Sequence, residues 1–496
     1  AGMEIDSRAA QIAELALAMC AREHDRRFFR RGVRADVTVL SSIPLGEDGL
    51  PGNKKLAEEL SHLGEIGSLL NPSEDEIDEL KAAAASCSDD LFAATAKTKL
   101  ESAAAICEKL SRRFTCTVAN PPYMGSSSFN PFMSKWVKKN YPDVKSDLCT
   151  CFIERGFNLV EDKGYAAMVT MQSWMFLGSF EKMRAKVIDN KTIVSMAHLG
   201  PRAFDAIGGE VVNVTADVIY NQHSDAEGAY VRLVDINGSE AKRLKLVEAI
   251  QNPDCGWFYR RNADIFKQIP GAPIAYWAGG GILSAFKSNP AVGTRASLQA
   301  GITTGNNDLF IRAWWEVQLS KFDRECSSIN EVQTTTCWYP CNKGGSYRKW
   351  YGNRDNVMNF SVTGQLEMKK QSGFRSVSLD DQFRPSISWS DVTSDRNSFR
   401  VNGGHSLFEH AGSCAFIADD NLLPLIAYLN SSAASVMLRM INPTLNCNAG
   451  VVSRLPLLGL GEEGRISSMA ELAIELSKTD WDSFETSWDF KRHPLL

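Results

Sequence analysis

No stretch of the 496-residue chain approaches the roughly 18 uninterrupted apolar residues that a membrane-spanning helix needs, so no membrane span is expected. The opening residues Ala1-Gly2-Met3-Glu4-Ile5-Asp6 lack the basic start and apolar centre of a signal peptide. They also lack an initiator Met, and the chain is expected to enter in the middle of a fold. Paired Cys-x-x-Cys clusters are missing too. The twelve cysteines are scattered, with Cys149-Thr150-Cys151 and Cys337 to Cys341 the closest pairs. A structural zinc site wants four well-spaced ligands, so no metal is expected. Cys116, Cys149 and Cys151 fall in apolar runs and are expected to be small buried thiols, which suits a reducing cytoplasm.

Excess positive charge is absent as well: the net charge is −5. Nothing in the totals advertises a nucleic-acid partner, so local clusters carry that question. Arg22, Arg26, Arg27, Arg30, Arg31 and Arg34 form one. Lys135, Lys138, Lys139 and Lys145 form a second. Lys343, Arg348, Lys349 and Arg354 interleave with Tyr347, Trp350 and Tyr351 in a third. Each also reads as a solvated face.

What is present is an alternation of strand and helix over the first 220 or so residues. Gly2 to Ile5 reads as a strand end. Ser7 to Glu23 reads as a helix capped by Asp6, with Ile12, Leu15, Ala16 and Met19 at helical spacing. A strand at Val37 to Leu40 precedes a helical insertion over about 44–113. Phe114 to Ala119 is a strand, Asp147 to Val160 a helix, Tyr165 to Met171 a strand and Ser179 to Asn190 a helix. Strands at Ile193 to Leu199 and Val211 to Tyr220 follow in succession. This pattern predicts a mostly parallel doubly wound sheet with a final antiparallel strand. From about 225 the chain becomes rich in Trp, Tyr, Gly, Asn and Ser and reads as an irregular α+β region. It closes with a helix from Leu423 to Met440 and a short one from Ser467 to Ser477. The expected organisation is 1–225, a connector over 226–290, a second domain over 291–460 and a tail over 461–496.

The most informative residues are Asn120-Pro121-Pro122-Tyr123, at the end of the Phe114 to Ala119 strand. Successive prolines cannot continue a helix or donate to a sheet ladder, so the chain leaves the strand in a stiff turn. In open α/β sheets ligands bind at the carboxyl ends of strands. An Asn carbonyl and a proline carbonyl each accept one N–H of a planar amine, and the Tyr ring stacks on it. The same residues also make a strand end with a rigid turn and nothing more.

Val118 to Tyr123 resembles motif IV of the amino-methyltransferases that act on adenine N6. Gly2 to Asp6 resembles their motif II, whose acid binds the cofactor ribose, which maps to Glu4. Met124 to Ser127, Asn140 to Leu148, Met171 to Met175, His198 to Gly200, Gly208 to Val212 and the tail Asp480 to Phe490 resemble the adenine-specific DNA methyltransferases of BREX phage-defence systems, the PglX family. The resemblance spans the chain. It implies a partial Rossmann-like α/β methyltransferase sheet with a helical insertion, followed by an α+β target-recognition domain. It implies S-adenosylmethionine as cofactor, held by Glu4, Asn120 and Phe152. It implies a flipped target adenine stacked between Tyr123 and Phe204. Double-stranded DNA, other BREX proteins and phage proteins that mimic DNA are the implied partners.

The Gly-rich loop of motif I is absent and is expected upstream of Ala1. A chain without that loop is expected to be inactive alone and poor at binding the cofactor. At motif III, where an Asp is common, Ser41-Ser42 stands instead. Lys343, Arg348, Lys349, Thr303 and Asn306 are the expected DNA contacts of the second region. Two rival readings remain: a protein-glutamine methyltransferase, which also grips a planar amide, and a non-catalytic DNA- or partner-binding fragment.

Overall fold

The computed structural model describes residues 1–46, 50, 52–88, 91–204, 212–334, 337–377, 379–393, 396–442, 446–459 and 463–495. Two compact units divide the chain, Ala1–Asp264 and Ile265–Leu496.

The first unit opens with β1 (Gly2–Glu4), α1 (Ser7–His24) and β2 (Val37–Val39). A helical insertion follows: α2 (Lys54–Ser61), α3 (Leu63–Ile66), α4 (Glu74–Ala85) and α5 (Leu91–Ser111). Then come β3 (Phe114–Ala119), α6 (Pro131–Asn140), α7 (Leu148–Leu159), β4 (Val160–Met171), α8 (Glu181–Asn190), β5 (Thr192–Gly200), β6 (Val214–Tyr220), β7 (Gly228–Arg232), α9 (Ser239–Gln251) and β8 (Phe258–Arg261). Local chemistry starts many of these helices. Asp6 accepts from the Arg8 and Ala9 amides at α1, and Asp147 from the Cys149 amide at α7. Ser73 and Glu76 make a reciprocal capping box at α4. Asn130 caps α6, with Pro131 in its first turn, a helix absent from the expectations above.

The main sheet runs β3-β4-β6-β5-β7-β8. β3 and β4 are parallel, β6 is antiparallel to both β4 and β5, and β7 is parallel to β5. The expected antiparallel strand is therefore β6, wedged between β4 and β5. The boundary expected near 225 falls instead at 264/265, because β7 and β8 extend this sheet.

β1 pairs only with β2, and β3 only with β4, among the described residues. Each therefore keeps one free edge. The faces nearby are bare too. Val118 near the end of β3 is 77% exposed, and Cys116 is exposed rather than buried as expected. The apolar stripe of α1 forms the predicted helix, yet Ile12 is 68% and Met19 63% exposed. Periodicity set the helix; no element among the described residues covers its stripe.

The insertion is stapled to α7 by Arg155, which is 1% exposed. Its guanidinium donates to the Ser68 carbonyl at 2.7 Å, the Asn71 Oδ1 at 2.5 Å and the Leu110 carbonyl at 2.5 Å. Mid-sheet, Asp217 of β6 lies opposite Met168 and Met196 and is 4% exposed. Its Oδ1 has no partner among the described residues, and burial pushes the carboxyl from 3.8 up to about 8. The folded chain thus holds a proton that the unfolded chain releases. Asp217 favours folding most below pH 3.8, and that contribution is lost as pH rises through about 8. Asp217→Asn, which keeps the neutral form, is expected to flatten the fall in melting temperature between pH 5 and pH 9. In wild type this group lowers the unfolding free energy by at most about 1.4 kcal/mol per pH unit over that range. An unchanged pH profile in the variant would contradict it.

The second unit contains α10 (Gly280–Ser288), β9 (Ser297–Gln299), α11 (Asn307–Phe310), β10 (Ile311–Ala313), β11 (Trp338–Asn342), β12 (Asn356–Asn359), α12 (Val362–Lys369), β13 (Pro385–Trp389), β14 (Phe399–Gly403), β15 (Leu407–Phe408), β16 (Cys414–Phe416), α13 (Asp419–Leu429), α14 (Ser432–Ile441), α15 (Ala449–Val452) and α16 (Glu463–Trp481). Its strands form two four-stranded sheets, β10-β12-β11-β15 and β14-β13-β16-β9. The helix expected from Leu423 to Met440 is broken: α13 and α14 bend by 67°. Asn430 lies at the break, and its amide pairs with both the N–H and the carbonyl of Phe399. No single described helix is long and apolar enough to cross a membrane.

Candidate active site

β3 delivers Asn120-Pro121-Pro122-Tyr123 to the carboxyl end of the sheet, as the sequence predicts. Ala119 lies opposite Met168 of β4, which places the turn alongside the last residues of that strand. Asn120 is exposed, Pro121 buried and Tyr123 half-buried. The Tyr123 hydroxyl lies 3.3 Å from Asn120 Oδ1 and 3.3 Å from the Val169 carbonyl, and it donates to one at a time. Where it donates to Asn120, the amide oxygen still keeps a second lone pair. The Pro121 carbonyl accepts no hydrogen bond among the described residues. Two acceptors thus keep a lone pair to spare at the strand end, beside an aromatic ring. Burial raises the Tyr123 hydroxyl to about 12, so it stays neutral at physiological pH.

α7 buttresses the turn. The Leu148 amide donates to the Met124 carbonyl at 2.9 Å, the Ser126 amide to the Ser146 carbonyl at 2.9 Å, and Gly125 bridges to Asp147. Phe152, one turn into α7, is half-buried. Glu4 sits at the end of β1, where its Oε1 accepts from the Ile5 and Asp6 amides at 2.8 and 3.0 Å. Its other carboxyl oxygen has no partner among the described residues and remains free to accept.

Phe204 follows β5, and β6 and β4 lie between β5 and β3. That is three strand spacings, about 14 Å. At Gly200 the chain turns with φ +66°, where a Cβ would meet Val234 at 2.9 Å. The turn leads to a half-buried Phe204, and no ring contact joins it to Tyr123 among the described residues. Of the segment Gly208 to Val212, residues 208–211 lie outside the described residues.

The sequence offered Gln172 and His198 only as parts of motifs, without roles. The structure joins them: His198 Nε2 lies 2.6 Å from Gln172 Oε1, at the carboxyl ends of β5 and β4. Burial, with Arg232 and Lys242 nearby, lowers the imidazole to about 3. The ring is neutral at physiological pH, so its Nε2–H donates to Gln172. The pairing across 26 residues has no local signature, so sequence pattern could not reveal it.

In the second unit most of the expected DNA contacts already have partners. Arg348 pairs with Asp480 at 2.7 Å and lies over the Trp481 ring at 5.1 Å. Lys349 donates to the Asn430 carbonyl at 2.7 Å. The Thr303 backbone pairs with Arg375, and Asn306 caps α11. Lys343 has no hydrogen-bond or ion-pair partner among the described residues. As for metals, the His223, Asp225 and Asp264 ligand atoms lie within 4.8 Å of one another, all three residues exposed.

A mixed α/β sheet with its antiparallel β6, and an Asn-Pro-Pro-Tyr turn at a strand end, define a methyltransferase-type unit. Residues 1–204 match the model of the Eco57I restriction-modification methylase family. Along its full length the chain is similar to two proteins named as adenine-specific methyltransferases. It is 34% identical to BrxX of Escherichia coli O9:H4 (strain HS) and 36% identical to PglX of Lacticaseibacillus casei (strain Zhang). The resemblance read from the motifs is therefore borne out. All of this chain, but 43% of each relative, is covered, so the chain spans less than half their length. Among solved structures it resembles a nuclease-deletion mutant of the Type ISP restriction-modification enzyme LlaGI in complex with a DNA substrate mimic. That likeness has a TM-score of 0.50 at 13% identity, covers 93% of this chain and 43% of that one, and shows the fold.

Proposed function

We propose that this chain forms part of a DNA methyltransferase that methylates adenine N6 in double-stranded DNA, with S-adenosylmethionine as donor, in bacterial phage defence. The observation that carries the reading is the pair of acceptors with a lone pair to spare, Asn120 Oδ1 and the Pro121 carbonyl, beside the Tyr123 ring. A grip made only of acceptors selects an amine with two N–H groups. Accepting both hydrogens draws the nitrogen lone pair out of conjugation and leaves it free to attack. Tyr123 and Phe204 clamp a base that has left the stack. Most of the rate gain comes from positioning.

The residues present fit the cofactor in part. Glu4 offers an unpartnered carboxylate oxygen for two vicinal hydroxyls, Asn120 follows the end of β3, and Phe152 offers a ring. β1 and β3 each keep an edge that pairs with no other strand among the described residues. When bound, S-adenosylmethionine supplies the methyl group.

In the second unit, Lys343, the Thr303 hydroxyl and the Asn306 amide are the expected contacts to duplex DNA, with Arg348 and Lys349 shaping the surface around them. Other BREX proteins and phage proteins that mimic DNA are proposed partners on the strength of the motif resemblance alone. Twelve cysteines, all free, support a reducing cytoplasmic setting.

The test is methyl transfer by the intact protein to duplex DNA and to a glutamine peptide. Methyladenine in the DNA, with an unmodified peptide, is expected. The reverse outcome would establish the glutamine reading, and transfer to neither would favour a binding module.

A further inference from the structure

α6 is held rigidly on one side only. Trp136 Nε1 donates to the buried Glu59 at 2.8 Å, the Tyr141 hydroxyl to the Leu69 carbonyl at 2.6 Å, and Phe132 stacks on His62 at 3.7 Å. Met133, Trp136 and Val137 are buried. The opposite face carries Lys135, Lys138 and Lys139, all exposed, at the i, i+3, i+4 spacing that puts them side by side.

Lys145 joins them from the following loop. The ladder of Met124, Gly125 and Ser126 against Leu148, Asp147 and Ser146 sets Lys145 next to the residues that directly follow Tyr123. An ordinary solvated face carries acids among its lysines. Here the nearby acids are occupied: Asp143 pairs with Lys182 and Lys186 of α8, Asp147 caps α7, Glu59 accepts from Trp136, and Glu65 accepts from Asn130. None of the four lysines has an ion-pair partner among the described residues. In a chain of net charge −5, this is a concentrated cationic platform on a fixed scaffold.

We propose that Lys135, Lys138, Lys139 and Lys145 form a landing surface for the phosphates of duplex DNA beside the turn that grips the target base. This rests on the DNA reading above and names a contact surface outside the second unit. Unpaired ammonium groups on a rigid helix suit a repeating polyanion, because each neutralised phosphate releases counterions without a reordering of the protein. Exposed hydroxyls of Ser126, Ser127 and Ser128 adjoin the same edge and can donate to phosphate oxygens.

The experiment measures duplex DNA affinity of the intact protein across a salt series. The quadruple Lys135→Gln, Lys138→Gln, Lys139→Gln, Lys145→Gln variant is compared with wild type and with the matching Lys→Arg variant. All four side chains are exposed, so the fold should survive, and melting temperature checks this. Removal of four phosphate contacts is expected to flatten the slope of log affinity against log salt by about 3 to 4. The Lys→Arg variant should keep the wild-type slope. A wild-type slope in the Gln variant overturns the landing surface alone. A wild-type protein that binds no duplex overturns the DNA reading with it. Loss of polyglutamate binding, with DNA binding intact, would assign the face to an acidic protein and also overturn the proposal.

Discussion

Asn120→Ala is expected to lower adenine methylation by the intact protein on the order of 10²–10³-fold, with duplex affinity unchanged within a few-fold. The size follows from what is removed. The amine loses one of two acceptors, so one N–H is left unpaired and the nitrogen lone pair stays conjugated. Misfolding would not explain such a loss. Asn120 is exposed, and its one side-chain hydrogen bond among the described residues is with the Tyr123 hydroxyl. Stability should therefore stay within about 0.5 kcal/mol. Tyr123→Phe keeps the ring and should cost roughly 2- to 10-fold, the worth of one ordinary hydrogen bond. Tyr123→Ala loses the stacking face and should cost more. Retained methylation in Asn120→Ala would remove the basis of the proposed function.

Arg155→Met is expected to destabilise the first unit by about 3–5 kcal/mol, read as a large drop in melting temperature or denaturant midpoint. The guanidinium reaches three acceptors, from the turn after α3, the loop before α4 and the end of α5. A methionine fills the volume but leaves all three unpaired in a dry interior. No carboxylate is among its hydrogen-bond acceptors, so the charge is stabilised by carbonyl dipoles alone. Burial lowers its pKa to about 10, yet it remains charged at neutral pH. The effect should reach function too. α7 buttresses the Asn-Pro-Pro-Tyr turn through Leu148 and Asp147, and Arg155 anchors that helix to the insertion. A stability change below about 1 kcal/mol would show that water replaces the guanidinium.

Much of the fold and half of the candidate site were legible in the chain. The helices at Ser7, Asp147 and Ser179 and the strands at Phe114, Tyr165 and Ile193 formed within a few residues of expectation. Their signals are local: apolar spacing, a cap, a glycine turn. α6 went unrecognised because Asn130-Pro131 looks like a loop and its apolar side is only Met133, Trp136 and Val137. The Leu423 to Met440 helix was overextended, because the break at Asn430 is made by a distant partner, Phe399. Arg348 and Lys349 looked like free DNA contacts, since Asp480 and Asn430 lie 132 and 81 residues away in sequence.

The sequence by itself determined the chemistry of the Asn120 to Tyr123 turn, because two prolines and their flanking polar groups act within four residues. It also determined where most helices begin, since a cap needs only its neighbours. Tertiary structure alone decided which surfaces are covered and which groups are desolvated. The α1 stripe and Val118 are bare, Asp217 is proton-bound in mid-sheet, and His198 is neutral against Gln172. Burial and long-range pairing depend on which distant segment arrives, and no periodicity within a strand or helix records that.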